Sequence, residues 1–226
     1  LDKRIKCFVD LYGSGYLRGG STWDKHLRSM PPDDLEVWER NFDPCSYVAN
    51  ITVPVLGVTG TNDNCYYLNR FLRTLQAIRP TPELIIRPNL DHKIDEVARI
   101  GYFKWLGAQL RRDTDAVSAA LGGWRCVAAE GEGVEVSVRA RGPLPVSRAE
   151  VWYAVPGGVG WTDRHWAGAP CAPDASGTWW TSTVPARTQP MFVYASLHFG
   201  DGSTLSTPVH SVARVQVDGL GCAADA

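Results

Sequence analysis

Residues 53–63 read Val-Pro-Val-Leu-Gly-Val-Thr-Gly-Thr-Asn-Asp, an apolar run that ends in a polar turn. A short apolar run closed by glycine is typical of a strand that is buried on both faces of a parallel sheet. Two further segments, 4–12 and 83–87, have the same pattern and end at Gly13 and Pro88. We therefore predict three parallel strands, each followed by a loop at its carboxyl end.

The segments that follow the second and third strands are predicted to be helices. Apolar residues after the second strand recur at the spacing of an amphipathic helix, namely Leu68, Phe71, Leu72, Leu75 and Ile78. A second stripe predicts a helix across 93–112, through Val97, Ile100, Phe103, Leu106 and Leu110. Alternation of strands and helices indicates an α/β sheet with right-handed crossovers. Residues 22–50 are predicted to form an excursion with a helix around 33–41.

The sequence pattern changes after Asp113. Residues 113–132 are rich in alanine and glycine and are predicted to be a linker. Valines then alternate with polar residues from position 134, which is typical of a half-exposed strand. Further strand-like runs occur at 148–155, 177–184, 191–199 and 204–213. We therefore expect three parts: an α/β part over 1–112, the linker, and a small antiparallel β-sandwich domain over 133–226.

Composition and charge exclude several classes of function. The 226 residues are 44% hydrophobic and 21% charged, with a formal net charge of −1. Without a run of one charge sign, we expect neither a nucleic-acid partner nor an anionic membrane partner. No stretch approaches the ~20 apolar residues of a membrane span. The six cysteines are scattered without zinc-ligand spacing, so we expect no metal site.

Two loops at strand ends carry residues suited to acid–base chemistry. Asp63 follows the second strand and His92 follows the third, and such loops hold reactive groups in open α/β sheets. If the two side chains meet, the carboxylate orients the imidazole, which then acts as general base and acid. Asp63 as a simple turn residue and His92 as an ordinary residue before a helix are the alternatives. The other candidates for the carboxylate role are Asn62, Asp91 and Asp95.

The same segments resemble a known superfamily. Residues 54–63 and 86–92 are similar to the acid and histidine segments of α/β-hydrolases, and 4–16 resembles the acetyl xylan esterase, cephalosporin-C deacetylase and dienelactone-hydrolase group. The resemblance covers roughly residues 3–110. It implies the C-terminal half of an α/β-hydrolase parallel sheet with flanking helices, before the sandwich. It also implies a Ser-Asp-His triad acting on a small ester or acylated carbohydrate, no cofactor, and an exported protein.

The chain departs from that family at the nucleophile. The family's serine lies in a Gly-x-Ser-x-Gly turn, which this sequence lacks. Gly13-Ser14-Gly15 lacks the spacing, and Gly19-Gly20-Ser21-Thr22-Trp23 ends in tryptophan where glycine is needed. We therefore expect the nucleophile upstream of Leu1 or on another chain, as part of a missing N-terminal half of the hydrolase domain. The first strand would then be an open sheet edge.

Two other functions remain open at this stage. A peptidase of the prolyl-oligopeptidase type belongs to the same superfamily. Alternatively, the fragment is non-catalytic and its β-rich part binds carbohydrate or protein. Five tryptophans would then form a platform for sugar rings, although in a small sandwich they more often fill the core: Trp152, Trp161, Trp166, Trp179 and Trp180. His26 lies in the excursion, where we expect a solvated loop position and contact with substrate is the alternative; for His165, His198 and His210 we expect structural or surface roles.

Overall fold

The computed structural model describes most of the chain. The described residues are 2, 4–111, 121–128, 133–140, 144–154, 160–185 and 190–212. Within these ranges, no helix is both long enough and apolar enough to cross a bilayer.

The first half of the chain forms the three predicted strands. They are β1 (Phe8–Leu11), β2 (Val55–Gly60) and β3 (Glu83–Arg87). Its helices are α1 (Asp24–Arg28), α2 (Pro32–Asn41), α3 (Leu68–Gln76) and α4 (Glu96–Arg111), with 3-10 turns at Pro44–Ser46 and Val48–Asn50. The predicted helices over 68–78 and 93–112 are thus confirmed. The first ends two residues earlier than predicted, and the second begins at Glu96 and ends at Arg111.

The three strands are parallel, as predicted. Val9 pairs with Leu56, and Val58 pairs with Ile85. All six residues of β2 are buried. Helix α3 packs so closely on one face that a Cβ at Gly57 would lie 2.2 Å from Leu75 Cδ1. Helix α4 covers the other face, so the apolar run at the centre is enclosed on both sides.

The second half of the chain consists mainly of strands. They are β4 (Leu121–Ala128), β5 (Gly133–Ala140), β6 (Val146–Ala154), β7 (Ala167–Pro170), β8 (Ala172–Pro173), β9 (Trp180–Pro185), β10 (Met191–Phe199), β11 (Thr204–Ser206) and β12 (His210–Val212), with a 3-10 turn at Trp161–Asp163. The strand predicted over 204–213 is divided by a break at 207–209, which contains Pro208. Much of the predicted linker lies outside the described residues, and its described part, 121–128, is strand β4.

These strands do not form a sandwich apart from the parallel strands. The sheet order is β1-β2-β3-β11-β10-β6-β7, with β12 also paired to β10. β11 joins β3 in antiparallel orientation, where Ser206 pairs with Leu84 and its Oγ accepts the Ile86 N–H at 3.0 Å. A second sheet has the order β4-β5-β9-β8. The described part of the chain therefore contains one eight-stranded mixed sheet and one four-stranded antiparallel sheet.

The predicted fold class is wrong. We expected half of an α/β-hydrolase sheet followed by a small sandwich, but the structure is β-rich, with four α-helices among the described residues and no clear α/β-hydrolase arrangement. The parallel part has three strands, and the sheet continues from them into antiparallel strands. The physical reason is a pairing between residues 120 positions apart, which local periodicity does not encode.

The apolar core crosses the two halves of the chain. One cluster joins Leu56 and Ile85 of the parallel strands to Val136, Val151 and Leu197 of the antiparallel strands. These five side chains are almost fully buried. Removing either half would expose this apolar surface to water, so each half contributes to the stability of the other.

Candidate functional site

Asp63 lies in the turn that follows β2, at the carboxyl end of the central parallel strand. The residue is 1% exposed, although it carries an acidic side chain. Its Oδ1 accepts the backbone N–H groups of Cys65 at 2.7 Å and Tyr66 at 2.8 Å. These two bonds fix the carboxylate and leave Oδ2 available for another partner.

The loop after β3 packs directly against this turn. The Thr61 N–H donates to the Arg87 carbonyl at 2.9 Å, and the Asn62 N–H donates to the Leu90 carbonyl at 3.0 Å. The Asn89 N–H donates to Thr61 Oγ1 at 2.7 Å. Because adjacent parallel strands end at the same edge, their loops are brought together there.

This contact places His92 beside Asp63. His92 Nδ1 lies 2.9 Å from Asp63 Oδ2, and the His92 side chain is 37% exposed while the Asp63 side chain is fully buried. An ionised carboxylate only accepts hydrogen bonds, so this contact assigns a proton to Nδ1, and in the neutral tautomer the lone pair is then on Nε2. The expectation that these two side chains meet is confirmed as geometry. Their catalytic role stays a prediction.

Two tyrosine rings hold the imidazole. The ring centroid of Tyr12 lies 4.5 Å from that of His92, and the centroid of Tyr66 lies 5.9 Å away. Tyr12 has a φ of 65°, a backbone conformation that non-glycine residues seldom adopt and that is often found at functional sites. Burial, then the charge of Asp63, raises the pKa of Tyr12 to about 12, so it stays a neutral phenol. Sequence reasoning missed both tyrosines, although Tyr12 directly follows a strand.

Two asparagines connect the site loops to the β-rich half. Asn62 Nδ2 donates to the carbonyls of Thr162 at 2.8 Å and Arg164 at 2.7 Å. Asn89 and Trp166 exchange two bonds, each of 2.8 Å, between the side-chain amide and the backbone. We call these contacts the asparagine clamp. Each asparagine belongs to a loop that carries one member of the Asp63–His92 pair.

The three competitors of Asp63 for the carboxylate role have other partners. Asp91 Oδ2 lies 3.0 Å from Lys93 Nζ. Asp95 Oδ2 accepts from Arg87 Nε at 2.7 Å, and its Oδ1 accepts the N–H of Ala98 at the start of α4. Asn62, the third competitor, belongs to the asparagine clamp. Asp63 is therefore the acidic group that the structure places on His92.

Neither serine considered as a nucleophile contacts His92. Ser14 is 4% exposed, and its Oγ has no hydrogen-bond partner within the described ranges. Ser21 Oγ donates to the Leu17 carbonyl at 2.8 Å and accepts the Trp23 N–H at 3.1 Å. Where the chain is described, the hydrogen bond of His92 is to Asp63 and to no serine or threonine hydroxyl.

The remaining histidines have other surroundings, and none of them is in the group formed by Asp63, Cys65 and His92. His198 Nε2 lies 3.1 Å from Glu150 Oε2, and burial, followed by the charge of Arg148, lowers its pKa. Burial lowers the pKa of His210 to about 4. His26 and His165 are exposed.

A third group beside the pair has metal-binding chemistry. A carboxylate oxygen of Asp63, the Sγ of Cys65 and a ring nitrogen of His92 all lie within 4.8 Å of one another. We expected no metal site, because the cysteines lack zinc spacing along the chain. The loop contact supplies this grouping instead, by bringing His92 to an Asp-x-Cys turn.

Comparisons with known proteins add little to this geometry. No protein-family model matches the chain, and no curated protein matches it. Among solved structures, a cycloalternan-degrading enzyme from Trueperella pyogenes is 18% identical with a TM-score of 0.26, over 34% of this chain and 10% of that one. A superoxide reductase (neelaredoxin) from Ignicoccus hospitalis is 16% identical with a TM-score of 0.31, over 46% and 90%. OgpA from Akkermansia muciniphila is 10% identical with a TM-score of 0.30, over 76% and 67%.

Proposed function

We propose that this chain provides the acid–base pair of a hydrolase that cleaves carboxylic esters through a serine nucleophile on another segment. The observation that carries the proposal is the 2.9 Å contact between His92 Nδ1 and the buried Oδ2 of Asp63. The ester class rests on the sequence resemblance of residues 54–63 and 86–92. A small ester or an acylated carbohydrate is the substrate we expect.

Each side chain has a definite role in this reaction. The free Nε2 of His92 takes the proton of the attacking hydroxyl, while the Nδ1 proton stays hydrogen-bonded to Asp63. The resulting imidazolium is stabilised by the carboxylate, which is buried and already fixed by two backbone N–H groups. His92 then gives its proton to the leaving alcohol, and activates the water that clears the acyl-enzyme.

The nucleophile is proposed to arrive with a segment that covers β1. β1 is the edge strand of the eight-stranded sheet, and large apolar side chains beside this edge are exposed, namely Ile5, Phe8, Leu11, Phe42 and Tyr47. A cavity of about 540 Å³ lies between β1 and the excursion, bounded by Phe8, Phe42, Tyr47 and Ile51. Unpaired edges and exposed apolar patches favour covering by another polypeptide segment.

The test uses the complete open reading frame that contains this chain. Hydrolysis of p-nitrophenyl acetate and labelling by a fluorophosphonate probe are measured for the unaltered protein and for His92→Ala and Asp63→Asn. We expect a labelled serine, and a loss of turnover on the order of 10⁴-fold in each variant. His26→Ala, which alters an exposed histidine outside the site, is the matched control.

Two results would contradict the proposal. One is turnover in His92→Ala equal to that of His26→Ala. The other is a serine that reacts with the probe equally well without His92, because the base would then play no part in activating it.

The alternative of a sugar-binding platform has no support in the exposed surface. Trp166 is 1% exposed, and the other four tryptophans of the proposed platform are only partly exposed. A ring platform requires exposed, contiguous aromatic faces. The tryptophans instead pack within the β-rich half, where Trp161 contacts Phe192 and Trp166 contacts Tyr194.

A further inference from the structure

Asp63, Cys65 and His92 present three different ligand atoms to one point. The three atoms lie within 4.8 Å of one another, and Asp63 Oδ2 and His92 Nδ1 are 2.9 Å apart. Ligands about 2.0–2.3 Å from a tetrahedral zinc ion are separated from each other by roughly 3.3–3.7 Å. The 2.9 Å separation is shorter than this range and the 4.8 Å limit is longer, so zinc binding requires small shifts of the three side chains.

The Cys65 thiol is free to make this movement. Its Sγ makes a weak contact of 3.6 Å with Asn64 Oδ1, and the residue is only partly buried. A thiol binds zinc as the thiolate, so the ion replaces the thiol proton of Cys65. The His92 side chain is 37% exposed, so solvent reaches this side of the group.

A second Asp-x-Cys turn in the chain shows what distinguishes this one. Asp43 accepts the N–H of Cys45 at 2.9 Å, as Asp63 accepts that of Cys65. Asp43 also accepts the backbone N–H groups of Tyr16 and Leu17, one on each oxygen. No histidine of the described chain joins the Asp43–Cys45 turn in a metal-ligand group. The turn alone is therefore not the site, and His92 completes it.

We propose that Asp63, Cys65 and His92 bind one zinc ion in place of the Nδ1 proton of His92, and that the bound ion switches off the base. Thiolate, imidazole and carboxylate together suit zinc, whereas magnesium and calcium prefer oxygen ligands alone. On binding, the thiol proton passes to solvent and the imidazole proton moves from Nδ1 to Nε2. Nε2 then has no lone pair with which to accept a proton from a nucleophile. The switching off of the base rests on the proposed function, whereas zinc binding does not.

Metal titration of the full chain tests the site directly. Cobalt(II) replaces zinc as a spectroscopic probe, and a thiolate ligand gives a charge-transfer absorption in the near ultraviolet. We expect one ion per chain, with that absorption lost in Cys65→Ser and retained in Cys45→Ser. Loss of one of three protein ligands should weaken zinc binding at least as much as loss of an outer-shell partner, by roughly 10–100-fold or more, in Cys65→Ser and in His92→Ala. Equal zinc affinity in Cys65→Ser and Cys45→Ser would overturn the site.

Activity of the complete open reading frame separates the two proposals. Zinc that binds through Cys65 should inhibit ester hydrolysis in the unaltered protein and in Cys45→Ser, with recovery on adding a chelator. Zinc binding without any ester hydrolysis would support the metal site and overturn the proposed function. Ester hydrolysis that depends on His92 but is indifferent to bound zinc would overturn the switch.

Discussion

Gly60 and Leu90 approach each other so closely that a Cβ at Gly60 would lie 2.1 Å from the Leu90 carbonyl oxygen. Gly60 is the last residue of β2, and Leu90 lies in the loop after β3. The contact thus joins the turn that carries Asp63 to the loop that carries His92. Since the obstructing atom belongs to the backbone, a side chain at position 60 must push the loop away.

Gly60→Ala should therefore separate the Asp63–His92 pair. We expect a loss of about 1–3 kcal/mol in the free energy of unfolding, measured by urea denaturation, because the added methyl group overpacks a buried contact. The downfield proton resonance of His92 Nδ1–H should broaden or disappear. Gly107→Ala is the control: it lies within α4 beside the flexible side chain of Arg111, and should stabilise by roughly 0.5–1 kcal/mol. A sharp Nδ1–H resonance in Gly60→Ala would contradict this view.

The asparagine clamp should be needed for both stability and the site. Asn62→Asp removes two donors and places an acid against the carbonyls of Thr162 and Arg164. We expect it to cost about 1–3 kcal/mol in the free energy of unfolding, since two partly buried carbonyls lose their donors. Asn89→Asp should cost a similar amount through the Trp166 carbonyl.

Asn50→Asp introduces the same chemical change at an exposed position and serves as the control. Its effect on unfolding should be within about 0.5 kcal/mol. If Asn62→Asp and Asn50→Asp unfold at the same urea concentration, the clamp does not stabilise the structure.

Local sequence pattern was sufficient for the elements but not for their assembly. The apolar runs at β2 and β3 have both faces buried, and the stripe of α3 matches its buried face, so periodicity identified them. The pairing of β3 with β11 depends instead on a single short contact between distant segments, Leu84 with Ser206. Nothing in the period of either strand indicates its neighbour, so the sequence pattern predicts a separate sandwich for the antiparallel strands.

The central pair of the candidate site could be predicted from the sequence, but the residues around it could not. Asp63 and His92 each follow a strand end, so the parallel topology alone brings them together. Tyr12, Tyr66 and Cys65 join them through the shape of the turns, which depends on particular hydrogen bonds and on a positive φ at Tyr12. From the sequence, Asn62 is a competitor of Asp63 for the partner of His92. Its role in the clamp requires knowing that the 161–166 segment crosses the loop.

The phenol group of Tyr12 offers a test of the packing beneath His92. Its hydroxyl is buried and has no hydrogen-bond partner in the described part of the chain. Tyr12→Phe keeps the ring against the imidazole and removes the unpaired group, so the free energy of unfolding should stay constant or rise by up to about 1 kcal/mol. Tyr47→Phe, which removes an exposed hydroxyl bonded to the Asn41 carbonyl at 2.8 Å, should instead lose about 0.5–1 kcal/mol. A larger loss in Tyr12→Phe than in Tyr47→Phe would show that the Tyr12 hydroxyl is bonded.

Glu83 should make the protein less stable as the pH rises. Burial raises the pKa of Glu83 to about 7, although a hydrogen bond from Trp105 Nε1 opposes the shift. Between pH 4.5 and about 7 the folded state therefore binds more protons than the unfolded state, so the free energy of unfolding falls across this window and is level above it. The shift corresponds to a loss of up to about 3 kcal/mol. Asp10, whose pKa burial also raises to about 7, adds a loss of the same sign.

Glu83→Gln isolates the contribution of this one carboxyl group. The amide oxygen still accepts the Trp105 N–H, and no charge has to be buried at high pH. Urea denaturation from pH 4.5 to 8 should show a shallower fall in stability for the variant, with the two proteins differing most above pH 7. Adding Asp10→Asn should make the fall shallower again, whereas His210, whose pKa burial lowers to about 4, contributes stability that rises with pH between about 4 and 6.5. If Glu83→Gln and the unaltered protein lose stability in parallel over this range, Glu83 is ionised in the folded state throughout and its burial is compensated by another charge.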